Sequence, residues 1–541
     1  MTSNKRPSRL AFAALAGTVL LSGCATPGSG DENTLDPVSI AIGEPGAPLV
    51  PGNTVEEYGA QVLESLWTGL VEYDADGAVS YTGVAESVTS DDNVTWTVAL
   101  HDSWTFHDGS PVTAASFVDA WNHTAYSPNA QAGSYFFANI EGYGDLQAPT
   151  DDAGDPTGEP AARELSGLTV VDDTTFTVTL VAPFAQFPVT LGYNPFFPLP
   201  ESFFDDPEAF GARPVGNGPF EAVGAFVQGE GLTVRAYDEF AGERAASVEA
   251  LEFRVYADTD TAYTEALAGE LDVLPRIPAD AAGTATDEFA GRFVETAASG
   301  FTFLGLPLYQ ERYADPRVRQ ALSLAIDRDA ITENIFSGTR EAADSLVPAA
   351  VDGHRDAACD YCVLDVDRAN ELLDAAGFDR SQPIELWFNA GAGNEAWMQA
   401  VGNQLRTNLG VEYVLKGDLA PPEYGPLLGT QGMTGPFRMG WSMDYPSPQN
   451  FLEPLYATGA GANFAFYSNP EFDALLAEGN AAPTGEEAIG FYNRAEDVVL
   501  EDMPVIPLFF DVTQSVHSAD VTDLVVDVFG RVDTAALTRA G

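Results

Sequence analysis

Hydrophobic and polar positions follow two rhythms along this chain, and the rhythm changes repeatedly. Val38-Ser-Ile-Ala-Ile42 alternates as a strand, after which Glu44 and Pro45 turn the chain. Between 55 and 72, Val55, Tyr58, Val62, Leu66 and Leu70 recur at the spacing that lines one helix face. Residues 95–100 (TWTVAL) and 175–180 (TFTVTL) alternate with period two, as half-buried strands do. A helix is predicted to open at Val112, with Thr113 as N-cap and Phe117, Val118 and Trp121 on its buried face. Residues 315–336 form a second helical region and 366–376 a third, stopped by Gly377. Strands are predicted again at 384–388 and 505–510. The stretch 141–162, rich in Gly, Asp and Pro, reads as a surface excursion. Strand-like and helical segments thus interleave over a length that asks for more than one domain, with no obvious internal repeat.

The apolar run 10–21 obeys neither rhythm. It follows Lys5, Arg6 and Arg9 and falls short of the roughly 20 residues needed to span a bilayer. Those proportions suit a signal-peptide core. The run ends at Leu21-Ser22-Gly23-Cys24, which resembles the bacterial lipobox: small residues admit the peptidase, and only a thiol serves as the attachment point. A signal peptide over 1–23 and a polar, lipidated tether over 24–35 are expected, holding the protein on the outer side of the cell membrane. The alternative is an ordinary secretory signal that happens to contain Cys24. No later apolar stretch is long enough to be transmembrane.

With Cys24 assigned to lipid, Cys359 and Cys362 remain, in Cys-Asp-Tyr-Cys. In a cytosolic chain that spacing suggests redox work or half a zinc site. There is no second Cys pair here, His354 precedes the motif in a Gly/Asp-rich loop, and the βαβ context of a thioredoxin is missing. A loop-closing disulfide in an oxidising compartment is the expectation.

Charge narrows the partners. Against 81 acidic residues stand 24 basic ones, a formal net charge of −57, with Lys only at 5 and 416. Such a surface repels nucleic acid and anionic lipid. The acids are spread over the whole chain, so they read as a general surface property, salt adaptation among the explanations, rather than as a site. A composition of 45% hydrophobic and 11% aromatic residues excludes general disorder.

Six stretches carry a family resemblance: WTFHDGSPVTAASFV at 104–118, PVGNGPF at 214–220, ALAGELD at 266–272, DPRVRQALSLAID at 315–327, GWSMDYPSPQNFL at 440–452 and EDMPVIPL at 501–508. In this order they resemble the large extracellular solute-binding proteins that serve oligopeptide, dipeptide and nickel ABC importers. Most of these residues have structural work to do. His107-Asp108-Gly109 makes a turn, Gly216 and Gly218 permit close backbone approach, and Arg317 and Arg319 have Asp315 or Asp327 as ion-pair candidates.

The resemblance implies an α/β, two-lobed periplasmic-binding-protein-like fold with an extra domain inserted in the first lobe. It assigns 36–79, 196–295 and 500–541 to lobe I, 80–195 to the insertion and 296–499 to lobe II. It implies a monomer that needs no cofactor, encloses its ligand between the lobes and delivers it to permease subunits. For the oligopeptide binders of the family it also implies roles: Asp444 holds the peptide ammonium, Trp441 forms an apolar wall, Arg438 meets the carboxylate, and the backbone around Gly440 and Tyr445 pairs with the extended ligand. The alternatives are that Asp444 caps the turn before Pro446 and Pro448, and that Arg438 makes an ordinary ion pair. Ser442 stands where some relatives carry a disulfide Cys.

Other functions stay in view. Nickel favours His or clustered carboxylates, and His101, His107, His123, His354 and His517 show no compact metal spacing. Haem, sugar or a purely sensory lipoprotein remain alternatives within the fold. A secreted serine hydrolase is disfavoured: Gly440-Trp-Ser442-Met-Asp444 places Asp where a nucleophile elbow needs a second Gly, and HExxH is absent.

Overall fold

The computed structural model describes residues 35–74, 77–151, 156–391 and 393–540; the expected signal peptide and Cys24 lie outside the described residues. Its frame is set by two strands of 13 residues, Phe293–Gly305 and Val505–His517, which run antiparallel through the middle of an eleven-stranded sheet. Val38–Ile42 and Ala250–Val255 pair in parallel on one side, and Gly231–Ala236 and Phe220–Ala222 extend that half. Phe437–Trp441 flanks Phe293–Gly305 on the other side, followed by Ile384–Asn389 and Tyr413–Leu419.

The long strands tie two hydrophobic cores together. One core gathers side chains from Val38 to Val273 and from Val521 to Leu537, the other gathers Phe301 to Phe510. The ladder between the strands is interrupted where the cores meet: pairing runs from Phe293↔Val516 to Ala297↔Val512 and resumes at Phe301↔Phe510. Gly300 sits in the gap, and a Cβ there would lie 2.2 Å from the Asp511 carboxylate, so a side chain would displace Asp511. A second irregularity follows between Thr302 and Phe303, opposite Pro507, which has no N–H to contribute. This is a two-lobed periplasmic-binding-protein-like fold, with crossing strands that lose regular pairing between the lobes.

Local sequence explains each half. In the second lobe, Ile384–Asn389 buries alternate residues. Helix Glu395–Leu409 turns Trp397, Val401, Leu405 and Leu409 inward at four-residue intervals and stops at left-handed Gly410 (φ 67°). Tyr413–Leu419 returns in parallel, which requires such a crossover helix. Each large apolar side chain buried this way contributes about 1.5–3 kcal/mol. In the first half, a separate four-stranded antiparallel sheet, in the order Ala85–Thr89, Thr95–Leu100, Thr175–Thr179 and Leu168–Asp172, packs on helix Ala114–Ala125. Phe117, Trp121 and Phe176 belong to the same core as Val38 and Phe253, so this sheet and the first-lobe sheet form one body. That body also touches the second lobe: Asn93 Nδ2 donates to the Ala482 carbonyl at 2.6 Å, and the Ala185 N–H to that of Asn480 at 2.8 Å.

Three elements differ from their sequence-based expectation. The helical region 315–336 is broken into Pro316–Leu324, Arg328–Ile331 and a wide turn over Thr332–Phe336. Asp327 causes the break by capping a new start, its carboxylate accepting the Ala330 N–H at 3.0 Å. Helix 55–72 is shorter, Glu57–Leu66, and its cap is the Glu56 carboxylate, which accepts the N–H groups of Tyr58 and Gly59 at 2.9 Å. The strand expected at 505–510 continues to His517, because polar Thr513, Gln514 and Ser515 are buried in the crossing. Arg317 pairs with Asp315 at 2.6 Å, while Arg319 instead donates to the carbonyls of Tyr313, Ala314, Asp502 and Met503.

Candidate ligand-binding cleft

Phe437–Trp441 is held on one side by full antiparallel pairing, from Gly305↔Phe437 to Phe301↔Trp441. On its other side it shares a single bridge, Trp387↔Phe437, so the edge from Met439 to Trp441 carries no neighbouring strand. The chain then leaves the sheet through Ser442–Ser447 and re-enters a helix at Pro448–Tyr456. Ser447, not Asp444, caps that helix, its hydroxyl accepting the Gln449 N–H at 3.2 Å.

Asp444 is therefore free of capping work, and its position is set by Asn450. The Asn450 amide oxygen accepts the Asp444 N–H at 2.9 Å and the Trp441 indole N–H at 3.4 Å; its Nδ2 donates to Asp444 Oδ2 at 3.1 Å. Among the described residues no cation balances this carboxylate. Burial pushes its pKa up to about 6, opposed by the Asn450 hydrogen bond. Asn450 itself is buried, and its role was invisible in the sequence beyond its place six residues after Asp444.

Asp444, Trp441 and Tyr445 line a cavity of about 370 Å³ between the second lobe and the 80–195 segment. The opposite wall comes from Tyr135, Phe136, Ile140, Phe184, Phe187 and Phe196. The last three are anchored in the core, Phe187 against Trp96 and Phe196 against Trp121. Tyr135 and Phe136 lie against each other, ring centroids 4.1 Å apart and tilted by 34°, on the short turn Ala132–Phe137. Burial and the Asp444 charge both raise the Tyr135 phenol, and the same causes act on Tyr193. Tyr445 is buried and its hydroxyl donates to Gln449 Oε1 at 2.6 Å. Sequence reasoning missed every aromatic contributor from 135–196, although Tyr135-Phe136-Phe137 was a visible aromatic run.

Arg438 lies apart from that cavity. Its guanidinium sits over Gly440, where an added Cβ would come within 3.0 Å of Nη2. It makes no ion pair among the described residues, and its Nε is buried without a hydrogen-bond partner. Burial, with help from Arg340, pulls its pKa down; Tyr424 and Asp511 oppose this. Arg340 already pairs with Asp511 at 3.1 Å, so Arg438 feels the Asp511 charge without an ion pair of its own. A second cavity of about 310 Å³ lies on the far side of Ser442 and Met443, against Gly300, Asp511, Arg276 and Arg531.

The remaining motif residues do structural work. Asp108 accepts the Ser110 N–H at 2.9 Å around left-handed Gly109, and His107 Nδ1 accepts the Gly216 N–H at 3.1 Å. Cys359 and Cys362 are joined in a disulfide, Cα–Cα 5.3 Å, within the second-lobe core and away from both cavities. No group of three or more His, Cys, Asp or Glu suited to a metal ion occurs among the described residues, and no described helix is long and apolar enough to cross a membrane.

Comparison with known proteins places this geometry in context. The model of the bacterial extracellular solute-binding proteins, family 5, matches residues 80–463. The periplasmic murein peptide-binding protein of Escherichia coli is 26% identical, over 86% of this chain and 85% of its own length. The periplasmic oligopeptide-binding protein of Salmonella typhimurium is 27% identical, over 83% and 82%. The solved structure of a periplasmic murein tripeptide binding protein, in its unliganded open form, superposes with a TM-score of 0.81 at 24% identity, covering 94% of this chain and 98% of that one.

Proposed function

The chain belongs to the bacterial extracellular solute-binding proteins of family 5, and we propose that it captures peptides by their free amino terminus for an ABC importer. The observation that carries this reading is the uncompensated Asp444 carboxylate, desolvated at the wall of a cavity and oriented by Asn450. A half-buried, desolvated carboxylate without a countercharge is costly to the fold, and a ligand ammonium supplies the missing charge and hydrogen bonds. The open edge at Gly440 offers main-chain groups to an extended ligand, a mode that gives affinity without reading side chains. Arg438, with its orphan Nε and an excess of positive charge around Asp511, is suited to the ligand carboxylate. Trp441 and Tyr445 wall the amino-terminal end.

Transport needs a conformational signal rather than chemistry on the ligand. Contacts to both bodies favour a closed arrangement, and the irregular pairing around Gly300 is where the crossing strands can bend. In this proposal the moving bodies are lobe I with the insertion, drawn from 36–295 and the C-terminal segment, and lobe II, drawn mainly from 296–499. The names of relatives support the peptide assignment, since those above bind murein peptides and oligopeptides. The lipobox supports anchoring through Cys24, and Cys24→Ser is expected to release the protein from membranes.

The test of the peptide reading uses a random tripeptide library and its N-acetylated counterpart, with native mass spectrometry of the purified protein. Adducts are expected with the free library and not with the acetylated one. Equal retention of both, or of neither, overturns the reading.

A further inference from the structure

We infer that the Asp444 cavity selects the first side chain of the ligand, accepting large neutral apolar residues, aromatic or branched aliphatic, and rejecting acidic ones. This rests on the peptide reading above and goes beyond it, because main-chain pairing at Gly440 is indifferent to side chains.

The geometry leaves the first side chain little choice of place. An ammonium on Asp444 fixes the ligand Cα one covalent bond away, and the Cβ one bond further, about 2.5 Å from the nitrogen. The main chain then continues along the open edge toward Gly440 and Arg438. The first side chain is left facing the cavity that Asp444 itself lines.

That cavity has a definite chemistry. Phe184, Phe187 and Phe196 give it a rigid apolar wall fixed in the core, and Phe136 and Trp441 add partly exposed faces. Its volume of about 370 Å³ is at the small end of ligand sites, enough for one bulky residue and its backbone. The charged residues lining it are Asp444 and Glu453, with no Lys, Arg or His among them. Glu453 already accepts hydrogen bonds from the amides of Gln449 and Asn480. An acidic side chain would lose water here, meet no donor of opposite charge and face two carboxylates. A leucine or phenylalanine would exchange water for the Phe wall. Glycine would leave the wall wet.

Calorimetry with Phe-Ala-Ala, Leu-Ala-Ala, Gly-Ala-Ala and Glu-Ala-Ala tests this on the purified chain. Phe and Leu are expected to bind at least about tenfold tighter than Gly, from the apolar area they bury. Glu is expected to be the weakest of the four. Phe136→Ala should weaken Phe-Ala-Ala by more than it weakens Gly-Ala-Ala, shrinking the Phe advantage. Asn139 is exposed and lines the same cavity, so Asn139→Arg places a cation there without disturbing the core. It should improve Glu-Ala-Ala about tenfold and change Leu-Ala-Ala less than about threefold. Four similar affinities would overturn the selectivity while leaving peptide capture standing. No binding of any of the four, with the random library also unbound, would overturn both. A Glu-Ala-Ala affinity unmoved by Asn139→Arg, in a folded variant that binds Leu-Ala-Ala, would place the first side chain elsewhere.

Discussion

Two carboxylates in the second lobe, Asp444 and Glu496, are both desolvated, and burial raises the pKa of each. Glu496, on helix Gly485–Asp502, is nearly inaccessible and fully partnered: it accepts the Leu346 N–H at 2.8 Å and pairs with Arg355 at 2.7 Å. Among the described residues Asp444 has one amide donor and no cation. The first arrangement ties a loop to a helix. The second leaves a charge exposed to a cavity and unpaired, a state that a fold selected only for stability would avoid. The contrast in partners distinguishes the two acids where the pKa shift does not, because burial raises both, and it is what makes Asp444 the proposed recognition acid.

The sharpest way to break that contrast is to neutralise each acid in turn. Asp444→Asn keeps the shape and removes the countercharge, so affinity for a free peptide should fall by about two to four decades, the cost of breaking a buried pair from one side. Calorimetry with free and N-acetylated forms of one bound peptide reads this directly: the loss is expected with the free form, while the acetylated form binds the parent poorly and is much less affected by the substitution. An Asn variant with parental affinity would make Asp444 a bystander.

Glu496→Gln should do the opposite. It leaves Arg355 with only the exposed Asp497 as an ionic partner, so chemical denaturation should show a loss of about 3 kcal/mol with ligand affinity retained. If Glu496→Gln abolishes binding in a folded protein, the division of roles is wrong.

Asp444→Asn should also raise the stability of the unliganded protein at neutral pH, by about 1–2 kcal/mol, since an unpaired charge no longer has to be buried. The pH dependence follows from the same shift. Asp444 has a folded pKa near 6, above its unfolded value, so between about pH 4 and 6 the folded state binds more protons. Its contribution to stability therefore improves as pH falls through 6. Ligand affinity runs the other way: it is full above about pH 6 and declines up to tenfold per unit below, as protonation removes the countercharge. Thermal scans and calorimetry across pH 4–8 should show these opposed trends, and the Asn variant should show neither.

The smallest effect is expected at Cys359–Cys362. A three-residue separation closes a short loop, so reduction should cost less than the 2–4 kcal/mol typical of longer ones and leave ligand affinity unchanged. Thiol labelling of native, unreduced protein should be negligible.

The sequence made the scaffold readable at particular places. Val366–Ala376 with its Gly377 stop, Thr113 as the N-cap of Ala114–Ala125, and the strands at 38–42 and 384–389 all follow from local period and capping chemistry. Harder to see was the continuation of Val505–His517 through Asp511-Val-Thr-Gln-Ser515, whose polar residues look like a strand's end. They are buried because they cross between two lobes, and nothing within ten residues announces that. The break at Asp327 was also hidden, since a capping Asp in mid-helix differs from an ordinary surface Asp only by what its carboxylate accepts.

By itself, then, the sequence determined the elements, because helix period, strand alternation and turn chemistry act over a few residues, and the resemblance of its motifs to the family made Asp444 a candidate. The tertiary structure alone decided what Asp444 faces. Its orienting partner is six residues away, but the aromatic wall comes from 135–196, some 250 to 310 residues earlier, and reaches it through the docking of separate bodies. Side chains that meet across such a separation leave no mark in local periodicity. Whether a carboxylate ends up paired like Glu496 or unpaired like Asp444 is decided by which surfaces close against it.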